Sequence, residues 1–352
     1  MNWHGVGTVV TGGASFIGSH LTDALLSLGA KVEVIDNLSS GRLENLKDAR
    51  DRIDLRILDL HSTSTSELAK LFTGKLVFHL AAEHGGRGYV DTHPVESMFN
   101  IQIDQNVFWA AWKGGAKKVI FTSSGCVYPP KLQREQDHVK LREADQRWLY
   151  SNPLPTDNEY GNAKLLSEAI LKYLAEKHDF PTVSARLFSV YGPREVENQS
   201  IIAFIARAFI RQDPYVLWGD GSQLRNYTYV SDIVSGIISL AEQVNDGSVF
   251  NVGSDEAVTV RESAELICRL MSHEPKFVFD KSGPTGPHTR ACDYSAIKSR
   301  VGWQPKVSFD EGVRSTVDWY VKSRDVNYVR ENLDRLLYER GVAPEKDLLV
   351  QS

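Results

Sequence analysis

Four side chains in this chain have the types and spacing to move protons: Ser124, Cys126, Tyr160 and Lys164. Tyr160-Gly161-Asn162-Ala163-Lys164 sets a phenol and an ammonium four residues apart, which on a helix is one face. An ammonium beside a phenol favours the phenolate. Tyrosine ordinarily titrates near ~10, and each unit of downward shift is worth about 1.4 kcal/mol, so the pair is expected to make Tyr160 a base near neutral pH. The same spacing is common on solvated helices. It gains meaning from Ser124, which ends the apolar run Val119-Ile120-Phe121-Thr122-Ser123-Ser124, a buried strand by its pattern. Cys126 follows two residues later. A cysteine there is either a small buried hydrophobe or, next to positive charge, a thiolate able to take a proton. Cys268 and Cys292 have no such neighbours and read as core residues.

These groups need a scaffold, and its start is Val9-Val10-Thr11-Gly12-Gly13-Ala14-Ser15-Phe16-Ile17-Gly18, a buried strand running through a tight glycine turn into a helix. Glycines at 12 and 18 let the backbone turn sharply and the helix pack close, so free N–H groups at the helix N-terminus can meet a pyrophosphate. A glycine-rich corner with no ligand has the same look. What separates the two is the next strand, Lys31-Val32-Glu33-Val34-Ile35, which ends at Asp36, roughly 20 residues on, where a ribose-binding acid belongs. The middle glycine of the usual three is Ser15, whose hydroxyl is expected to be tolerated or to donate a hydrogen bond. Asp36-Asn37 has no arginine directly after the acid, which favours NAD over NADP.

Strands and helices alternate through the first half, the pattern of a doubly wound parallel sheet. Ile53 to Leu58 reads as a third strand ending at Asp59-Leu60, where a carboxylate can meet an adenine or simply cap a turn. Leu76 to Leu80 reads as the fourth, followed by the small residues Ala81-Ala82, which with Leu80 let a cofactor pass, and by a pocket-lining loop, Glu83-His84-Gly85-Gly86-Arg87-Gly88. A helical stretch over about 95–113 leads into the strand that ends at Ser124, a helix over about 159–178 carries Tyr160, and Thr182 to Leu187 reads as a sixth strand. The expected organisation is an α/β chain: a Rossmann-type dinucleotide domain over 1–188 and a smaller mixed α/β substrate lobe over 189–324. A polar, proline-punctuated insertion over 129–157 covers the pocket, with a charged helical piece near 140–148, and an exposed charged helix and tail close the chain over 325–352.

Composition narrows the function further. With 352 residues, 42% of them hydrophobic, the chain can bury a large core. A net charge of −5 gives no reason to propose nucleic acid or an anionic membrane as partner. No apolar run approaches the ~20 residues of a membrane span, and the first strand begins too early to leave room for a signal peptide. Three scattered cysteines without CxxC spacing point to neither a disulfide framework nor a metal site, and fit a reducing cytoplasm.

The motifs together resemble the extended short-chain dehydrogenase/reductase family of nucleotide-sugar epimerases and dehydratases. They run from Thr11-Gly12-Gly13-Ala14-Ser15-Phe16-Ile17-Gly18 through Asp36-Asn37, His79-Leu80-Ala81-Ala82 and Ser123-Ser124 to Tyr160-Gly161-Asn162-Ala163-Lys164. Arg186-Leu187-Phe188-Ser189-Val190-Tyr191-Gly192-Pro193 and Asn251-Val252-Gly253 extend the likeness over about residues 6–322. The resemblance implies tightly held NAD, oxidation of a sugar hydroxyl, usually at C4, by Tyr160 with Ser124 as proton partner, and return of the hydride. It also implies a homodimer through the two long helices.

In dehydratases of this family an Asp-Glu pair follows the serine; here Gly125-Cys126 stands there, as in the GDP-mannose 3,5-epimerases and GDP-fucose synthases. Once C4 is a ketone, hydrogens at C3 and C5 become acidic, and a thiolate at Cys126 can remove one. Gly85, Gly86 and Arg87, the stretch Trp218 to Arg225, and Gly283 to Gly286 with Arg290 extend that likeness, which makes Arg225 and Arg290 holders of the substrate diphosphate. One departure matters. Inversion needs a second acid/base opposite Cys126, where those enzymes carry a lysine or histidine, and Gln199 stands here. His84, Glu83 and Glu197 are the substitutes. The expected function is therefore NAD-dependent C3/C5 epimerisation of a GDP-mannose-like nucleotide sugar. A plain NDP-hexose 4-epimerase, in which Cys126 only lines the pocket, is the alternative, with a Cys126-dependent dehydratase third. A non-catalytic NAD-binding protein would be expected to lack Tyr160 or Lys164, and both are present.

Overall fold

The computed structural model describes residues 1–134, 139–146 and 156–341. Seven parallel strands make the central sheet: β1 (Gly7–Thr11), β2 (Lys31–Asp36), β3 (Ile53–Ile57), β4 (Leu76–His79), β5 (Lys118–Ser124), β6 (Thr182–Leu187) and β7 (Asp246–Val252). Their spatial order is β3-β2-β1-β4-β5-β6-β7. Runs such as Val9-Val10 and Val119-Ile120-Phe121 are wholly buried because helices cover both faces, as a parallel sheet requires. Helices Phe16–Ser27 and Val230–Gln243 pack Leu21, Leu25, Ile233 and Ile237 on one face; helices Thr65–Phe72, Asn100–Lys113 and Glu159–His178 pack Leu68, Phe108 and Leu171 on the other. The strand order reverses between β1 and β4, so Gly12 and Leu80 to Ala82 flank one crevice at the carboxyl edge.

A second core, built from helices Ser200–Phe209, Val260–Leu270, Phe309–Ser323 and Val326–Tyr338, forms the lobe beyond that edge. The segment after 189 does more than build this lobe, because it sends β7 and helix Val230–Gln243 back onto the central sheet. The stretch expected to be helical near 140–148 instead gives the short strand Lys140–Leu141, paired with Ala291–Cys292 in the lobe's small sheet. A single turn at Glu143–Asp145 follows, and the remainder of that expectation lies outside the described residues. The helix over 95–113 is two helices, Pro94–Met98 and Asn100–Lys113. The terminal helix is not simply exposed. Val329, Leu333, Leu336 and Leu337 recur at helical spacing and are buried in the lobe, with the charges on its outer side. The tail over 342–352 lies outside the described residues.

A buried ion pair locks the helix that carries Tyr160 to the sheet. Glu168 accepts from Ser123 Oγ at 2.5 Å and from Arg186 Nε and Nη2 at 2.9 and 2.7 Å, and Arg186 Nη1 reaches the Tyr128 hydroxyl at 2.9 Å. Tyr128 in turn donates to Asn251 on β7 at 2.7 Å. Removing one partner leaves a guanidinium buried without compensation. Glu168→Ala should therefore lower the unfolding free energy by about 3–5 kcal/mol, read from the midpoint of urea unfolding.

Candidate active site

The turn after β1 is held from three sides. Gly12 has φ +70°, and a β-carbon on it would lie 2.9 Å from the Ala81 backbone, while one on Gly18 would lie 2.1 Å from the Gly12 carbonyl oxygen. Only glycine permits the helix to start so close to both strands. Ser15 Oγ turns back to donate to the Gly12 carbonyl at 2.5 Å, so the residue in the middle glycine's place braces the turn. Below it, Asp36 accepts the Ala14 and Leu38 amides at 2.9 and 2.8 Å. Burial pushes the Asp36 carboxyl up and those amides pull it down, with burial prevailing. A cavity of about 490 Å3 opens here, lined by Gly12, Ser15, Phe16, Ile17, Asp36, Asn37, Asp59, Leu60, Leu80, Ala81 and Ala82. Gly18 shapes this wall from behind.

The same cavity continues to Ser124, Cys126 and Tyr160. Ser124 caps the turn Gly125–Val127, its Oγ accepting the Cys126 amide at 3.1 Å. The helix Glu159–His178 is set against this turn: the Asp157 amide donates to the Cys126 carbonyl at 2.9 Å, and a β-carbon on Gly161 would lie 2.2 Å from that oxygen. Lys164 is wholly buried over the Phe121 ring, its Nζ 3.8 Å from Asp104 Oδ2 and without a hydrogen-bond partner. Asp104 is fixed by Ser167 Oγ at 2.7 Å and by His79 Nε2 at 2.8 Å, and His79 Nδ1 meets Thr11 Oγ1 at 2.7 Å. Burial keeps His79 below its ordinary pKa, so Nε2–H donates to Asp104 and Nδ1 accepts from Thr11.

The expectation that Lys164 lowers the Tyr160 pKa is not met within the protein itself. Burial pushes the Tyr160 phenol well above its usual value, with Cys126 and Asp104 adding to the rise, while burial lowers Lys164. The ammonium lies 5.7 Å from the Tyr160 ring centroid, too remote to offset the desolvation.

Opposite this wall three arginines gather. Arg290 donates from Nη1 to Cys126 Sγ at 3.4 Å, from Nη2 to Asp157 Oδ2 at 2.5 Å and from Nε to Gln133 at 3.0 Å. Arg87 reaches the same Asp157 oxygen at 2.9 Å and Asp91 at 2.8 Å. Burial would raise Asp157, but the two guanidiniums outweigh it and hold its carboxyl low. Arg225 spends three hydrogen bonds on the carbonyls of Leu224, Thr285 and His288, and burial lowers it to about 10. Arg87, Arg225, Arg290, Gly85 and Gln199 line the cavity, whereas Gly86 and Gly125 are backbone supports behind it. Gln199 stands just before the helix Ser200–Phe209, its carbonyl accepting the Ala203 amide at 2.8 Å while its side chain makes no capping bond.

The three substitutes for the second acid/base fare differently. Glu197 is 1% exposed and paired with Arg324 at 2.7 Å, so its carboxylate is already engaged. Glu83 accepts the Tyr89 hydroxyl at 2.6 Å and pairs with Arg340. His84 packs its imidazole on the Tyr160 ring, centroids 4.6 Å apart. Its ring is exposed to the cavity, and enclosure within the cleft first, then Arg340 and Lys164, lower it to about 4.

A sequence profile described as the NAD dependent epimerase/dehydratase family matches residues 8–253. The chain belongs to this family. It is 30% identical over 318 residues to GDP-mannose 3,5-epimerase from Arabidopsis thaliana, covering 88% of this chain and 81% of that one. Among solved structures, UDP-N-acetylglucosamine 4-epimerase from Methanobrevibacter ruminantium, in complex with UDP-N-acetylmuramic acid, superposes with a TM-score of 0.78 at 31% identity, covering 91% of this chain and 99% of that one. UDP-glucose 4-epimerase from Thermus thermophilus, complexed with NAD, gives 0.77 at 25% identity over 90% and 99%.

As an enzyme of the NAD-dependent epimerase/dehydratase family, the chain takes NAD, and its own atoms fit that cofactor. The glycine corner leaves no room for a side chain, Asp36 stands at the end of β2, and Lys164 Nζ is a buried cation with donors to spare for ribose hydroxyls. Sequence reasoning missed Asp157, which joins Arg87 to Arg290; only its place three residues before Tyr160 marked it. It also missed Glu195, a cavity-lining acid pushed far up by burial, and Arg340, which lines the same cavity.

His84 makes stability depend on pH. Its pKa is about 4 in the folded chain and near 6.5 when unfolded, so the unfolded state binds more protons between those values. Stability present above pH ~6.5 is lost as pH falls, and because the imidazole is exposed to the solvent-accessible cavity the loss by pH 4 is about 1 kcal/mol. Urea unfolding across this range should show His84→Asn losing less stability on acidification than the parent.

Proposed function

We propose that this enzyme is a nucleotide-sugar epimerase that oxidises a hexose hydroxyl at C4 to a transient ketone and uses Cys126 to invert C3 or C5 of a GDP-mannose-like substrate. The observation carrying this reading is the Arg290 guanidinium at 3.4 Å from Cys126 Sγ. A cation at hydrogen-bond distance supplies the local positive charge a thiolate needs, on a cysteine that lines the cavity and is not sealed in the core. When bound, NAD accepts the hydride from the sugar carbon and later returns it. The phenol that burial holds high would be brought down by the Lys164 ammonium together with the positive nicotinamide when bound, so that Tyr160 as phenolate takes the hydroxyl proton with Ser124 Oγ as its partner while Lys164 holds the nicotinamide ribose. Cys126 then removes the hydrogen made acidic by the neighbouring carbonyl. Arg87, Arg225 and Arg290 set against the two carboxylates of Asp157 and Asp91 leave net positive charge, which suits a nucleoside diphosphate. His84, whose imidazole lies against Tyr160, would take a proton from solvent and pass it to the carbon that Cys126 has deprotonated.

Plain C4 epimerisation is the second reading. It is favoured by Gln199, which cannot transfer a proton at ordinary pH, by the engagement of Glu197 with Arg324, and by the likeness to 4-epimerase structures.

The chain is further proposed to work as a cytoplasmic homodimer. Its three cysteines are unpaired, and no described helix is long and apolar enough to cross a membrane. Helices Asn100–Lys113 and Glu159–His178, packed on the same layer, leave Trp109 54% and Tyr173 44% exposed, large apolar side chains available to a second copy. Sedimentation of Trp109→Glu should show a monomer where the parent is a dimer.

Incubation with GDP-, UDP- and TDP-hexoses in heavy water separates the chemical readings. Deuterium at C3 or C5 with inversion there is the expected result. In Cys126→Ala, substrate-dependent nicotinamide reduction at 340 nm should persist while deuterium uptake falls at least ~100-fold. Inversion at C4 without deuterium establishes the second reading, and undiminished uptake in Cys126→Ala removes the thiol from the chemistry.

A further inference from the structure

The terminal helix Val326–Tyr338 is anchored in the lobe by Leu336 and Leu337, and the chain then crosses the mouth of the cofactor crevice. The Glu339 carbonyl accepts from Asn198 Nδ2 at 3.3 Å. The Gly341 backbone runs against β2's following loop, so close that a β-carbon would lie 2.5 Å from the Ser39 carbonyl oxygen. Between them Arg340 turns inward. Its Nη2 donates to Ser40 Oγ at 3.1 Å and to the Ala82 carbonyl at 3.0 Å, its Nη1 pairs with Glu83, and its Nε is buried with no partner.

These contacts join the two edges of one crevice. Ser39 and Ser40 follow Asp36, the ribose-binding acid at the end of β2, whereas Ala82 and Glu83 follow β4 on the far side of the switch point. The glycine turn and the N-terminus of helix Phe16–Ser27 lie between. Leu337, Glu339, Arg340 and Gly341 line the same cavity as Gly12, Ser15 and Asp36. The charge of Arg340 acts on Asp36 at one end and on Tyr160 at the other. A guanidinium spanning that interval stands where a dinucleotide carries its diphosphate, and an unpartnered buried N–H there lacks only an acceptor.

We propose that Arg340 is a cofactor-binding residue, donating its free Nε–H to a phosphate oxygen of NAD, and that residues 339–341 form a clasp that retains the dinucleotide. The fixed strap contacts at Asn198, Ser40 and Ala82 hold the guanidinium in place, so the cofactor meets a preorganised cation. Glu83 balances its charge at the edge of the crevice.

Affinity and release, measured without turnover, test this. NAD and ADP-ribose dissociation constants come from titration calorimetry on nucleotide-stripped protein, and NAD release from the loaded protein is followed after rapid desalting. Arg340→Gln should weaken both ligands about ten- to hundredfold and speed NAD release to match, adenosine binding should change less than twofold, and Arg340→Lys should recover part of the loss. Glu83→Gln, which breaks the ion pair and leaves the guanidinium, should retain NAD within twofold. Thermal melts of the stripped proteins confirm that each variant folds. NAD affinity within twofold of the parent in Arg340→Gln overturns the proposal. So does tighter binding, which would make the strap a competitor of the cofactor, and so does an equal loss in Glu83→Gln, which would make Arg340 only a brace for the loop after β4.

Discussion

One backbone contact sets the distances in the cleft: the Cys126 carbonyl accepts the Asp157 amide while Gly161 lies flat against it. Strand-end turn and helix start are thereby stacked main chain to main chain, with no side chain between them to relax. Ser124 and Cys126 belong to one partner of this contact, Tyr160 and Lys164 to the other, so the four groups are held at distances fixed by peptide geometry. Asp157 extends the arrangement, because the residue that donates its amide to Cys126 also uses its carboxylate to aim Arg290 at the thiol and to tether Arg87. Preorganisation of this kind is what allows a proton to move without first rearranging the protein.

Charge is distributed unevenly along the cavity, and that follows from burial. At the Tyr160 end desolvation favours neutral groups: the phenol is pushed up, Lys164 and His84 are pushed down, and the fixed anion Asp104 is held by His79 and Ser167. In such a place each remaining electrostatic contact is stronger than in water. At the other end three guanidiniums share Asp157 and nearby carbonyls, which keeps the wall positive. The two environments lie in one continuous space, as the proposed binding of a diphosphate beside a sugar to be oxidised requires.

Much of this was legible because local chemistry and global fold agree. The glycine corner, Asp36 at the end of β2, Ser124 at the end of β5 and the four-residue spacing of Tyr160 and Lys164 each follow from short-range rules, and the alternation of strands and helices implies the parallel sheet. What stayed hidden depends on contacts between segments distant in sequence. Asp157 looks like one more polar residue of the insertion until Arg87 and Arg290 converge on it. Lys140–Leu141 becomes a strand only because Ala291–Cys292 offers it an edge. The terminal helix carries enough charge to look exposed, yet Val329, Leu333, Leu336 and Leu337 share one face that the lobe covers, and Arg340 is delivered to the crevice as a result. The upward push on the Tyr160 phenol was hidden for the same reason: spacing tells which groups share a face, and burial decides which charge state the protein by itself supports there.

Under the proposed function, which carbon is inverted turns on a proton donor for the other face of the sugar, and the two carboxylates weighed for that role are already engaged. Glu197 is committed to Arg324 and Glu83 to Arg340, and Gln199 has no proton to exchange. Inversion next to the ketone, as proposed, leaves His84 and the neutral Glu195 carboxyl as partners for Cys126, and an imidazole held near pKa 4 is a weak base but, once protonated, a strong acid. That asymmetry suits a group that delivers a proton to a carbanion already formed by the thiolate, and it suits poorly a group asked to begin the reaction. Inversion at C4 needs neither residue, because the ketone only has to turn before the hydride returns. The oxidising machinery is common to both routes, so the difference between them rests on whether the thiol and imidazole flank the same carbon.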